Sequence, residues 1–242
     1  MPRYYGIFLD VKNRTTIVFG GDHHEAQRKV EYLLECEAKV RVFCPDSQLS
    51  DRLRELVTLG KIEWISRRYK KGDLKGAWLA IVADTTDKKI NHAISEEAKE
   101  HNVLLNVMDV TPLCTFIAPS LVHRNEVTVA ISTSGTSPAL ARRLREEMSD
   151  KECRCLRWSN VSSLLANTRK EVRSRGLVFC PEQWQNFMTH EWLRSVESCD
   201  EKKVISELIK NFESVNCKSC SPYGTCKRIE VPEPMKMDNS GH

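Results

Sequence analysis

Through the first half of the chain, short apolar runs alternate with amphipathic stretches. Thr15–Phe19 (TTIVF) is a β-branched run that ends at Gly20 and Gly21, and residues 25–37 follow with helical spacing of their apolar positions. VRVF, residues 40–43, predicts a second strand, closed by Cys44-Pro45-Asp46. LSDRLRELVTLG then predicts a helix and KIEWI a strand. WLAIVA, residues 78–83, predicts a buried strand, residues 91–101 a helix, and residues 103–107 another strand.

Strands separated by helices imply βαβ units, and the right-handed crossover makes this half a Rossmann-like parallel sheet. Beyond Asp109 the pattern changes. Residues 114–121 and 127–132 predict strands joined by a short link, VHRNE, which suggests an antiparallel element outside the parallel sheet. From Pro138 onward the spacing is helical: ALARRLREEM, SSLLANTRKEVRS, EQWQNFMTHEWLRSV and EKKVISELIKNF. Residues 215–242 hold Pro, Gly, Lys and Cys with no apolar period and predict an extension.

Composition narrows the class. The 242 residues are 40% hydrophobic and 29% charged, as in a soluble globular protein. A net charge of +4 tolerates an acidic ligand but is far from the balance of a nucleic-acid binder. No apolar run approaches the roughly 18 residues of a membrane span. The start, MPRYYGIFLDVKNR, lacks the zones of a signal peptide, so a cytoplasmic protein is expected. Ten cysteines then read as free thiols rather than a disulfide framework.

Three places carry candidate chemistry. The first is the turn after the first strand. Glycines there permit a tight bend and close backbone approach, so that a pyrophosphate can sit on the helix N-terminus. The sequence is GGDHHEAQRK and not G-x-G-x-x-G, so an ordinary strand–turn–helix stays open as the alternative. Asp22 and Glu25 would repel a pyrophosphate. Protonated His23 or His24 would offset this, although neutral imidazole is the default. Asp46, at the end of the second strand, is placed to bind ribose hydroxyls.

The second place is STSGTSP, residues 132–138. Ser132, Thr133, Ser134 and Gly135 offer hydroxyls and N–H groups to an anion, while Ser137-Pro138 reads as a helix cap. Arg142, Arg143 and Arg145 follow, as a solvated face or as receivers of substrate carboxylates. The third is Asp109, at the C-terminal end of a predicted parallel strand, where ligands of open α/β sheets bind. A partly buried carboxylate there would have a raised pKa and exchange protons near neutrality. A plain turn residue is the alternative, and a lone His123 nearby reads as structural.

Taken in order, FLDVKNR, GG with RKVEYLL, NVMD, C-x-F-I-A-P-S-L-V and AISTSGTSPALARRLR resemble the dehydrogenase/ferrochelatase module of siroheme synthase and the single-domain precorrin-2 dehydrogenases. The resemblance spans residues 5 to 148. It implies a Rossmann NAD-binding domain over 1–113, a dimerisation and tetrapyrrole-binding element over 114–150 and a helical domain over 151–214. It further implies a homodimer that oxidises precorrin-2 to sirohydrochlorin with NAD+, some members also inserting Fe2+ to give siroheme. Asp109 matches the family's functional aspartate, and Thr133 a hydroxyl near the tetrapyrrole. The NAD contacts fall on Gly20, Gly21, His24 and Glu25 and on Pro45 and Asp46. A polycarboxylate substrate suits the hydroxyl loop and Arg142.

The glycine turn and the loop ADTTDKKIN each look one residue longer than in relatives. Two other readings therefore stay open: a sirohydrochlorin chelatase without dehydrogenase activity, and a non-catalytic nucleotide or tetrapyrrole sensor. Outside the resemblance, Cys217, Cys220 and Cys226 offer three ligands to zinc or an iron–sulfur cluster, which normally take four. A tail with incidental thiols is the alternative.

Overall fold

The computed structural model describes residues 4–150, 152–177, 184–185, 187–196 and 201–214. The chain divides into two compact units, one of residues 1–119 with 132–138, the other of residues 120–131 with 139–242.

The first unit is a five-stranded parallel sheet in the order β3-β2-β1-β4-β5. Its strands are β1 (Thr15–Phe19), β2 (Lys39–Phe43), β3 (Ile62–Ile65), β4 (Leu79–Val82) and β5 (Leu104–Val107). Side chains alternate across the pleat. Val18, Val40 and Val42 therefore join one buried layer, with Val30, Leu33, Leu53 and Leu56. Ile17, Phe19, Phe43, Ala80 and Val82 join the other, with Ile94, Ala98 and Leu105. Helices α1 (Glu25–Glu35) and α2 (Asp51–Thr58) supply the first layer and α3 (Lys88–Glu100) the second. Ala26, Val30 and Leu33 bury one stripe of α1, at the spacing its sequence shows. Burial on both faces is why these strands read as continuous apolar runs.

Of the strand expected over residues 114–121, only Ser120 and Leu121 are extended, as the start of the next strand. A short 3-10 turn, Thr111–Leu113, leads into an irregular segment that runs back along the edge strand β5. Thr115 donates its N–H to Leu105 O at 2.8 Å, and its Oγ1 accepts the Leu105 N–H at 2.7 Å. Asn106 Nδ2 donates to Phe116 O at 3.1 Å. Side chains thus satisfy part of the edge that a sixth strand would have satisfied through its backbone, and Pro119 ends the segment.

In the second unit, β6 (Ser120–Arg124) and β7 (Val127–Ile131) form an antiparallel hairpin. Its link is only Asn125-Glu126, because His123 and Arg124 belong to the strand and Asn125 takes φ 53°. Helices α4 (Pro138–Ser149), α5 (Val161–Ser174), α6 (His190–Val196) and α7 (Glu201–Ser214) follow. Val161, Leu164, Val172, Trp192, Val204 and Leu208 form this unit's core. The helix expected over EQWQNFMTHEWLRSV is interrupted: Trp184, Gln185 and Phe187 are helical but Met188 and Thr189 are not, and α6 restarts with Thr189 Oγ1 accepting the Trp192 N–H at 3.2 Å.

Candidate functional site

In the order β3-β2-β1-β4-β5 the chain reverses direction between β1 and β4, and the crevice beyond their C-terminal ends is the natural ligand position. Gly20 and Gly21 lie there. Gly20 takes φ 124°, and a Cβ on it would stand 2.9 Å from Asp84 N. A Cβ on Gly21 would stand 2.5 Å from Cys44 Sγ and 3.0 Å from the Gln48 carbonyl. Both glycines are thus required for the turn to nest between the ends of β2 and β4. The Ser50 N–H to Gly21 O bond, 2.8 Å, ties the turn to the start of α2.

Phe19, Phe43, Val82, Ile90 and Ile94 form the apolar floor of a cleft beside this turn, with Gly20, Pro45, Tyr69, Asp84 and Asp87 at its walls. Gly20 and Pro45 therefore come together as the sequence suggests. The other expected cofactor residues are engaged otherwise. The exposed Asp46 carboxylate accepts from Arg54 Nη1 at 2.7 Å, and that guanidinium holds it below the usual carboxylate range. Glu25 pairs with Arg28 at 2.6 Å, and the exposed His24 ring stacks 3.9 Å from His23.

Asp22 is the residue the sequence undervalued. Its carboxylate accepts the N–H groups of His24 (2.9 Å), Glu25 (2.8 Å) and Ala26 (3.3 Å). Partial burial works to raise its pKa, but these backbone donors outweigh it and hold the carboxyl below its ordinary range. The N–H groups of Gly21 and His23 make no hydrogen bond among the described residues, whereas that of Asp22 turns to its own carboxylate. Two available donors, two glycines that admit close approach and an apolar floor fit a dinucleotide. The wall residues Tyr69, Asp84 and Asp87 were also missed. Asp87 had a visible signal, because it caps α3 by accepting from Lys89 N and Ile90 N.

Asp109 follows β5 in a left-handed conformation, φ 59°, which Asp tolerates better than most residues. The side chain is exposed, not partly buried as expected. Its turn is closed by the Val110 N–H to Val107 O bond, 3.1 Å, and by the half-buried Cys114. Burial pushes the Cys114 thiol up, which keeps it protonated and able to donate.

The hydroxyl loop spends much of itself internally. Thr133 Oγ1 donates to Ser137 O at 3.0 Å and accepts the Ser137 N–H at 3.1 Å. Ser132 Oγ accepts from Ser134 N, and Thr136 Oγ1 donates to Thr133 O. Ser134 and Gly135 are both left-handed, φ 54° and 83°, and the Ser134 hydroxyl and Gly135 N–H have no partner among the described residues. Those two groups, rather than Thr133, are the ones available to an anion. Pro138 begins α4 as its sequence suggests. The exposed Arg142 donates through Nε to Glu146 at 2.8 Å.

Cys217, Cys220 and Cys226 lie outside the described residues. Among the described residues no cluster of three or more His, Cys, Asp or Glu side chains could hold a metal ion, and no helix is long and apolar enough to cross a membrane.

Comparison with known proteins agrees with this geometry. Residues 7–120 match the family described as "Putative NAD(P)-binding", and residues 124–151 the one described as "Sirohaem biosynthesis protein central". The siroheme synthase of Actinobacillus pleuropneumoniae serotype 3 is 39% identical over 145 residues, covering 60% of this chain and 29% of its own. That of Pseudoalteromonas translucida is 32% identical over 208 residues, covering 85% and 43%. That of Methylobacillus flagellatus is 40% identical over 169 residues, covering 70% and 35%. The chain thus spans less than half the length of these relatives. Among solved structures, "SirC, precorrin-2 dehydrogenase" superposes with a TM-score of 0.68 at 21% identity, over 87% of this chain and all of that one, and shares the fold. With both matched segments in that order on a Rossmann-like sheet, residues 7–151 belong to the family of siroheme synthase N-terminal modules.

Proposed function

We propose that this chain is a precorrin-2 dehydrogenase, oxidising precorrin-2 to sirohydrochlorin with NAD+, and that it also inserts Fe2+, as substrate, to give siroheme. The observation that carries the proposal is the succession of an NAD(P)-binding match over 7–120 and a sirohaem-biosynthesis match over 124–151. The strand order that opens a crevice at Gly20 supports it.

When bound, NAD+ supplies the hydride acceptor. The chain's own residues do the rest. The N–H groups of Gly21 and His23 are the donors for its phosphates, and Phe19, Phe43 and Val82 give the cleft an apolar floor. The Ser134 hydroxyl and the Gly135 N–H receive substrate carboxylates. Asp109 takes the proton that accompanies hydride loss. Metal insertion releases two pyrrole protons, of which it takes one and solvent the other.

The proposal includes a homodimer, which rests on the family resemblance alone and is checked by sedimentation. Anaerobic incubation with precorrin-2 and NAD+, then with sirohydrochlorin and Fe2+, tests the activities by absorbance. Formation of NADH and sirohydrochlorin in the first supports the dehydrogenase. Turnover only in the second replaces it with the chelatase, and silence in both with retained binding replaces it with the sensor.

A further inference from the structure

In a dinucleotide-binding turn, the pyrophosphate is drawn to the partial positive charge and free N–H groups at the helix start. At the start of α1 those groups are taken by the protein's own anion, since Asp22 accepts from residues 24, 25 and 26. The neighbouring helix starts are closed in the same way. Ser50 Oγ accepts the Leu53 N–H at 3.3 Å for α2, and Asp87 Oδ1 accepts from Lys89 and Ile90 at 2.9 and 3.1 Å for α3. The nearby cations are partly committed: Arg28 pairs with Glu25 and Arg54 with Asp46, leaving Arg68 at the cleft. Asp84 and Asp87 add negative charge to the walls.

We infer that Asp22 is an internal competitor for the pyrophosphate of the cofactor, and that it sets the affinity of the chain for ligands of that class. A carboxylate and a pyrophosphate repel at hydrogen-bond distance from the same donors. A pyrophosphate on the available Gly21 and His23 N–H groups faces the Asp22 charge, and it reaches the N–H groups of residues 24–26 only when the Asp22 side chain leaves them. The inference rests on the NAD+ reading above and deepens it.

Asp22→Ser is the test, because serine still caps a helix but carries no charge. Dissociation constants are measured by calorimetry on the full chain for NAD+, ADP-ribose and adenosine. The first two contain the pyrophosphate and the third does not. The expected result is roughly tenfold tighter binding of NAD+ and ADP-ribose with adenosine unchanged, about 1.4 kcal/mol. Unchanged or weaker NAD+ binding by a folded variant overturns the inference. So does an equal change for adenosine, which would mark a general loosening of the turn. Absence of binding of all three to both proteins removes the NAD+ reading and this inference with it. Circular dichroism confirms folding, and Asp22→Asn serves if the serine variant does not fold.

Discussion

Cys114 Sγ lies 3.2 Å from the amide nitrogen of Val107 and 3.2 Å from the carbonyl oxygen of the same residue. One thiol thus accepts and donates at the last residue of β5, and it also reaches Val110 O at 3.5 Å. These contacts brace the turn that carries Asp109. Cys114→Ala should cost about 1–2 kcal/mol in denaturant unfolding, the scale of two weak hydrogen bonds and a small cavity. It should also lower kcat with little effect on KM for NAD+. Cys114→Ser keeps a donor and an acceptor and should recover most of kcat. Equal behaviour of the two variants would mean that the thiol does not position the turn.

Asp109 itself calls for a substitution that separates charge from conformation. At φ 59° asparagine is tolerated as well as aspartate, so Asp109→Asn keeps the turn and removes the carboxylate. The rate of whichever reaction the chain performs should fall by about 100-fold or more, as for loss of an acid–base group. The melting temperature should barely move, because the side chain is exposed. Asp109→Ala adds backbone strain of order 1 kcal/mol and is the less clean test. A fully active asparagine variant would take Asp109 out of the chemistry.

The parallel sheet was readable because burial on both faces forces apolar runs, and TTIVF maps onto β1 without a shift. Residues 114–121 misled because threonine, phenylalanine and isoleucine favour strands. Here the edge of β5 is satisfied by Thr115 Oγ1 and Asn106 Nδ2, a tertiary choice that local propensity does not contain. The same limit applies at the site. Gly20 and Gly21 announced a turn, but GGDHHE does not say that Asp22 folds back onto the N–H groups of residues 24–26. Nor does STSGTSP say that Thr133 is consumed by Ser137 while Ser134 stays available. Residue types marked the region, and the partition of its donors and acceptors needed coordinates.

The glycine turn should be intolerant of even one methyl group. At Gly21 the new Cβ would meet both Cys44 Sγ and the Gln48 carbonyl. The backbone carbonyl has no rotamer to escape into, so Gly21→Ala should cost about 2 kcal/mol or more in thermal or denaturant unfolding. Shrinking the sulfur site in a Gly21→Ala/Cys44→Ala double variant should not restore stability, because the carbonyl contact remains. Recovery to wild-type stability would show that the sulfur was the sole obstacle.

Glu97, 1% exposed, accepts from the Tyr69 hydroxyl, from Gly72 N at 2.9 Å and from Leu74 N at 2.8 Å. A single buried carboxylate on α3 therefore organises residues 69–74, and Tyr69 packs edge-on to Phe19 at the cleft. Removing it strands three donors, so Glu97→Ala should cost roughly 3 kcal/mol or more and weaken NAD+ binding through the displaced Tyr69 wall. Partial burial, and then the bond to Glu97, push the Tyr69 phenol well above its ordinary value of 10.0. The native state thus keeps a proton that the unfolded chain gives up. The resulting stabilisation is complete below pH 10 and is lost as pH rises above it. Unfolding followed from pH 8 to pH 11 should show the wild-type chain losing stability faster at the alkaline end than Tyr69→Phe, since other tyrosines and lysines are common to both. Parallel curves for the two proteins would mean that the Tyr69 proton is not held by the fold.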